Sequence, residues 1–76
     1  MDIVTISARV IKILNPCNGY YRFLLKEHGR KNPFQAMVNG ELLLEIDEIV
    51  ELSGVWVYIM NQELSEGALA FLIMID

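Results

Sequence analysis

The strongest constraint on the fold of this chain is an alternation of apolar and polar residues that recurs in short runs. The clearest run covers residues 20–26, where Tyr21, Phe23 and Leu25 share one face and polar residues dominate the other. A period of two residues is typical of a half-buried β-strand. Because the other long apolar runs are also rich in β-branched or aromatic residues, the sequence predicts an all-β chain.

Turn-forming residues divide the chain into five predicted strands. The strands cover residues 3–14, 20–26, 34–38, 49–60 and 69–75, and clusters containing Gly, Asn or Pro lie between them at 15–19, 28–33, 39–40 and 61–67. Gly and Asn tolerate positive φ, and Pro cannot donate to a strand ladder, so these clusters interrupt strands. Residues 41–46 are predicted to form a short helix or a turn, because Leu42, Leu43 and Ile46 have helical spacing.

The chain is short and apolar, which favours a single closed barrel. Its 76 residues are enough for one domain, 1–76, or for a piece of a larger protein, and 54% of them are hydrophobic. An open five-stranded sheet would leave apolar edges free to aggregate, whereas a barrel has none. We therefore predict a small five-stranded, OB-fold-like barrel, with the short helix or turn between strands 3 and 4. An SH3-like barrel is the alternative, and the insert before the fourth strand favours the OB-fold.

Charge is divided unevenly along the sequence. The net charge is −4, yet all six basic residues lie before residue 32, and no basic residue follows residue 38. The first 38 residues therefore carry +4 and the last 38 carry −8. The acidic balance excludes a protein whose entire surface is cationic, but it leaves room for a local basic patch.

A basic and aromatic face on the second strand is the candidate nucleic-acid site. Tyr20, Arg22 and Lys26 share a face there, so Tyr20 is the predicted base-stacking residue and the cations would follow phosphates. The remaining basic residues would lie at the edges of this surface, namely Arg9, Lys12, Arg30 and Lys31. The alternative is that all of these are ordinary solubilising residues.

The sequence offers no group of residues suited to catalysis or to metal binding. His28 is the single histidine and Cys17 the single cysteine, so neither has a second imidazole or thiol with which to bind a metal or to form a disulfide. The acidic run from Glu45 to Glu51 has no central glycine of the kind a calcium loop needs, and no glycine-rich phosphate loop occurs. We predict a protein that is not an enzyme and has no cofactor. Trp56 is expected to pack in the core, with ligand stacking as the alternative.

No segment has the pattern of a targeting signal or a membrane anchor. The first residues lack a cationic leader followed by an apolar run. The longest internal uncharged stretch, residues 52–62, is about half of the ~20 residues that a spanning helix requires. The expected location is the cytoplasm, without membrane contact.

An ordered set of segments resembles the small N-terminal OB-like domain of RecD-like DNA helicases. The first segments are residues 8–13 and the turn and aromatic strand at 15–23. Residues 34–40, Leu43 and Leu44 come next, and the last segment is the acidic-apolar strand 48–56 with its Gly-x-Trp. The resemblance covers about residues 6–58, and residues 58–67 differ from the family pattern. It implies an accessory domain that lacks the motor domains.

Two hypotheses for function follow. The first is a non-catalytic accessory domain of a RecD-like helicase or nuclease that contacts single-stranded DNA. The second is a protein-interaction or homo-oligomerisation module, because the run 55–59 is apolar on both faces and a barrel this small cannot bury 54% of its residues.

Overall fold

The protein is an all-β chain of five strands. The computed structural model describes residues 2–61 and 66–75, without the side chains of residues 60, 61 and 66–68. The strands are β1 (Val4–Cys17), β2 (Tyr20–Glu27), β3 (Phe34–Val38), β4 (Ile49–Asn61) and β5 (Glu66–Ile73). All five predicted strands are therefore confirmed. The described residues contain no helix, and residues 41–46 form an irregular segment that leads into a turn.

The strands close into a barrel in the order β1-β2-β3-β5-β4. Neighbouring strands are antiparallel except β3 and β5, which run parallel from Gln35–Ala70 to Val38–Ile73. The chain can make this parallel pair because β4 lies between β3 and β5 in sequence and provides the crossover. The prediction of a small OB-like barrel is confirmed.

The long first strand serves two neighbours. Its first half, Val4 to Arg9, pairs with β4, and its second half, from Ala8 onward, pairs with β2. The register with β2 shifts between Val10 and Lys12, which is a β-bulge. A bulge bends a strand and increases its twist, so β1 turns from one partner to the other at the point where the barrel closes.

The barrel interior is filled by the apolar faces that period two predicted. In β1, β2 and β3 alternate residues are buried, whereas in β5 the adjacent Ala70 and Phe71 are both buried. The largest fully buried side chains are those of Phe71, Leu25, Val10 and Val38. Leu42 and Leu44 from the irregular segment pack against this core. No described polar or charged residue is buried, so the interior gives stability and leaves binding to the outside.

The β1–β2 turn shows how the predicted turn residues act. Cys17 pairs with Tyr20, which leaves a two-residue loop of Asn18 and Gly19. Both have positive φ, at 52° and 83°, which is the type I′ geometry that suits the twist of a hairpin. The last predicted turn, residues 61–67, lies largely outside the described residues.

Beyond the barrel, the hairpin of β4 and β5 continues alone. The pairing of β4 with β1 ends at Gly54, and that of β3 with β5 begins at Ala70, while β4 and β5 remain paired out to Asn61 and Glu66. We call the part formed by residues 58–61 and 66–69 the β4–β5 arm. No helix long and apolar enough to span a membrane occurs in the described part of the chain.

Candidate functional site

The outer face of β2 carries the residues that the alternation predicted, but it is too long to be one site. Phe23 and Leu25 are buried inside the barrel, so Tyr20, Arg22 and Lys26 point outward together. Six residues of strand separate Tyr20 from Lys26, which is about 20 Å. The two ends of the row must therefore be considered separately.

Tyr20 lies at the end of the barrel where β1 turns into β2. It lines a cavity of about 250 Å³ with Asn39 and residues 72–75. That cavity is lined mainly by apolar residues of the C-terminal segment and contains none of the basic side chains. The structure thus places the predicted stacking residue apart from the cations that were expected to accompany it.

Lys26 lies at the other end, beside a groove of about 310 Å³ that we call the basic groove. Residues from β1, β2, the turn after β2 and the start of β4 line it, namely Ser7, Ala8, Arg9, Lys26, Glu27, His28, Gly29, Arg30 and Ile49. Three of the seven predicted site residues come together here: Arg9, Lys26 and Arg30. His28 is exposed in the turn, as expected, and adds an imidazole to the same groove.

Within the groove, two cations lie directly opposite each other on neighbouring strands. Arg9 pairs with Lys26 in the β1–β2 register, and both residues are exposed. On its other side Arg9 pairs with Ile49, which has no charge. Directly opposed like charges destabilise a sheet. Among the described side chains neither Arg9 nor Lys26 forms an ion pair, so their charges are available to an anionic ligand.

A tight turn brings Arg30 back over the barrel. The amide of Arg30 donates to the carbonyl of Glu27, and Gly29 has a φ of 84° at the third position of the turn, as a type II turn requires. The Arg30 side chain also meets the Glu27 carboxylate, with Nε 3.0 Å from Oε1.

The Arg30 guanidinium lies on an aromatic cluster. Its Cζ is 4.7 Å from the centroid of the Trp56 ring and 5.6 Å from that of Phe34. Trp56 in turn makes edge-to-face contacts with Phe34 and Phe71, at centroid distances of 5.0 and 4.9 Å. Phe34 and Phe71 are buried and Trp56 is half-buried. Trp56 therefore packs on the core, as expected, and also supports a charged side chain next to the groove.

The other predicted basic residues lie outside the groove. The Nε of Arg22 donates to the carbonyl of Asn15 at 2.7 Å, which ties Arg22 to the β1–β2 hairpin. Lys12 pairs with the uncharged Leu24 beyond the bulge, and Lys31 is exposed in the loop after the turn.

The remaining candidates from the sequence are Cys17 and the acidic run from Glu45 to Glu51. Cys17 is exposed at the end of β1. In the acidic run, the amide of Glu48 donates to the carbonyl of Glu45, and the amide of Glu45 donates to the Glu48 carboxylate. These bonds make a local turn. No group of three or more residues that could hold a metal ion occurs among the described residues.

Sequence reasoning missed the groove because its residues meet through strand register. Ser7 and Ile49 line it, yet nothing in the sequence marks them as neighbours of Lys26. One signal was present: the segment Glu27-His28-Gly29-Arg30 has the Gly of a tight turn between two charged residues.

Comparison with known proteins found no matching family model, curated protein or solved structure.

Proposed function

We propose that this domain is a non-catalytic binding module that holds single-stranded nucleic acid in the basic groove. The observation that carries the proposal is the cross-strand pair of Arg9 and Lys26, whose charges no described acid neutralises. A phosphate bound between them would relieve their mutual repulsion and would add charge-assisted hydrogen bonds. Arg30 supplies a third cation at the same groove.

The geometry favours a single strand read through its backbone. The groove is a shallow feature of the barrel surface whose walls are strands and one tight turn. Phosphate contacts of this kind position a strand without reading its sequence. We therefore expect binding to depend on strand length and salt, with little preference among sequences.

The sequence resemblance to the N-terminal domain of RecD-like helicases supports a more specific proposal. In that setting the ligand would be single-stranded DNA, and the domain would serve as an accessory to the helicase or nuclease core. The ssDNA proposal can be tested on the isolated chain, whereas the accessory role requires a core as partner.

The test is fluorescence anisotropy with a labelled 15-nucleotide poly-dT at low and at physiological salt. Lys26→Gln removes one charge inside the groove, and Lys12→Gln removes the same charge outside it. We expect Lys26→Gln to weaken binding about fivefold, which corresponds to roughly 1 kcal/mol, and Lys12→Gln to weaken it much less. Absence of binding at tens of micromolar in low salt, or equal losses in the two variants, would refute the proposal.

A second candidate function is protein interaction, and the β4–β5 arm favours it. Tyr58 and Leu69 are directly opposed on the arm and are 68% and 51% exposed. On the barrel wall Ile49 is 65% exposed next to the groove. Val55 is buried and Val57 is half-buried. The exposed apolar surface of this hairpin therefore comes from Tyr58 and Leu69.

Self-association gives the corresponding measurement. Sedimentation over a hundredfold concentration range, at low and high salt, would show a salt-insensitive dimer if apolar surface drives association. Tyr58→Ser should then weaken the dimer, since it removes the most exposed aromatic ring of the arm. A monomer at all concentrations would exclude a homodimer.

A further inference from the structure

The side chain of Arg30 is held in place before any ligand arrives. Its Nε is bound to the Glu27 carboxylate, and its guanidinium lies over Trp56 and Phe34. An unrestrained arginine side chain loses about 2 kcal/mol of rotamer entropy when it is ordered. Here the ion pair, the two rings and the Gly29 turn impose much of that order in the free protein.

The contact with Glu27 determines which part of Arg30 remains available. A phosphate binds arginine best through two parallel N–H groups. One such pair includes Nε, and Nε already donates to the Glu27 Oε1. What remains is the terminal amino edge and the flat face turned away from Trp56. The Arg30 side chain is 41% exposed, and it lines the basic groove.

We propose that Arg30 is a base-stacking surface, with Trp56 beneath it as its support. An unpaired base would lie on the exposed face of the guanidinium, opposite Trp56, while Arg9 and Lys26 bind the flanking phosphates. Guanidinium planes and aromatic rings are both surfaces on which unpaired bases stack. This inference rests on the proposed function and assigns the base contact to Arg30 rather than to Tyr20.

The position of Arg30 supports this assignment over Tyr20. Arg30 lines the same groove as the Arg9–Lys26 pair, so one nucleotide can reach a phosphate site and the stacking surface together. Tyr20 is about six strand residues from Lys26, or 20 Å, and lines a different cavity. A base stacked on Tyr20 would belong to a nucleotide several positions away from the groove.

The first experiment uses Trp56 as a reporter, because it is the only tryptophan in the chain. Wild-type protein is titrated with a 15-nucleotide poly-dT and with a 15-nucleotide abasic strand that carries the same phosphates. We expect poly-dT to change Trp56 emission and to bind at least about fivefold more tightly than the abasic strand, as stacking of ~1–3 kcal/mol per base implies. The abasic strand should bind with little change in emission.

The second experiment separates the plane of Arg30 from its charge. Arg30→Lys keeps the cation and removes the flat surface. We expect the preference for poly-dT over the abasic strand to fall to about one, with abasic affinity changed less than twofold. Arg22→Lys is the matched control, because it makes the same exchange at an arginine tied to Asn15 outside the groove; it should keep the preference.

The possible outcomes distinguish this inference from the proposed function. Equal wild-type binding of poly-dT and abasic strand overturns the stacking role and leaves phosphate binding intact. Loss of the poly-dT preference in Tyr20→Leu, with its retention in Arg30→Lys, overturns the assignment to Arg30. Absence of binding to either strand overturns both proposals. The wild-type titrations decide the first and third cases whatever the stability of the variants.

Discussion

At the scale of single residues, two backbone positions govern how well the barrel closes. Gly54 is the residue at which β4 changes partner, since it pairs with Val4 of β1 and with Ile73 of β5. A Cβ on Gly54 would overlap the carbonyl oxygen of Leu72 and would lie 2.9 Å from Cε2 of Phe71. Glycine is required here because another backbone passes too close for a side chain.

We therefore expect Gly54→Ala to destabilise the protein by at least about 2 kcal/mol, through overpacking against backbone that cannot move without breaking the ladder. The measurement is the free energy of unfolding in urea. Gly19→Ala is a useful comparison, because a Cβ there meets nothing within 4 Å and only its positive φ opposes the change. A Gly54→Ala protein as stable as wild type would show that β4 and β5 can separate at this point.

Asp47 is the second such position. It has a φ of 71° at the third position of the turn that the Glu48 amide closes onto the Glu45 carbonyl. Residues other than glycine are strained in this region by about 1 kcal/mol or more. Its side chain is exposed, while its backbone amide donates to the Val10 carbonyl at 2.7 Å, a bond that glycine would keep.

Asp47→Gly should accordingly raise the free energy of unfolding by at most about 1 kcal/mol, because Asp tolerates this region better than most residues and glycine loses more chain entropy on folding. Thermal and urea unfolding measure the change, and Asp47→Ala serves as the control because it removes the carboxylate without relieving the strain. If both variants shift stability equally, the effect comes from the negative charge.

At the scale of elements, the pairing of β1 with β2 affects stability and binding in opposite directions, because it places Arg9 opposite Lys26. Favourable cross-strand pairs stabilise a sheet by roughly 0.2–1 kcal/mol, and we expect the opposed like charges of Arg9 and Lys26 to cost the free protein a similar amount. Lys26→Gln should therefore stabilise the protein by a few tenths of a kcal/mol while it weakens nucleic-acid binding. A substitution that raises the free energy of unfolding and lowers the affinity for nucleic acid is characteristic of a residue that serves ligand binding.

The comparison uses urea unfolding of wild type, Lys26→Gln and Lys12→Gln at low salt. Lys12 faces the uncharged Leu24, so its replacement should leave stability nearly unchanged. Added salt should remove the gain of Lys26→Gln, since screening weakens repulsion between exposed charges. A loss of stability in Lys26→Gln would mean that the lysine makes a favourable contact in the free protein.

The elements also show what the sequence can and cannot predict. Alternation identified all five strands and the faces of β2, because the period of side chains along a strand is a local property. The partnership of Arg9 with Lys26 depends on register, which two irregularities in β1, between Leu14 and Cys17 and between Val10 and Lys12, each shift by one residue. The distance between Tyr20 and Lys26, by contrast, follows from the strand predicted over residues 20–26 at about 3.3 Å per residue, so this division of the site could have been predicted. Trp56 packs against the core from a half-buried position, and the turn that lays Arg30 over it is a tertiary feature.

At the scale of the whole molecule, barrel closure redistributes the charge that the sequence divides. The last 38 residues carry −8, yet β4 pairs with the part of β1 that ends at Arg9, and Glu51 pairs with Ser7 just beside the groove. The acidic segment also approaches β1 through the hydrogen bonds of Val10 with Asp47 and Glu48. Among the described residues, the basic groove therefore has acidic neighbours.

This arrangement limits how many phosphates the molecule can neutralise. If Arg9 and Lys26 bind phosphates while Arg30 stacks on a base, the logarithm of the association constant should fall with the logarithm of salt at a slope of about −1.4, since each phosphate contact on a single strand contributes about −0.7. All six basic residues acting together would give about −4. Anisotropy titrations of poly-dT at four or five salt concentrations measure the slope directly. A value near −4 would place Lys12, Arg22 and Lys31 on the binding surface as well, and a value near zero would remove phosphate contacts as the source of binding.

Because neighbouring acids such as Glu51 repel a strand that leaves the groove, we expect Glu51→Gln to tighten binding at low salt without changing the slope by more than a few tenths.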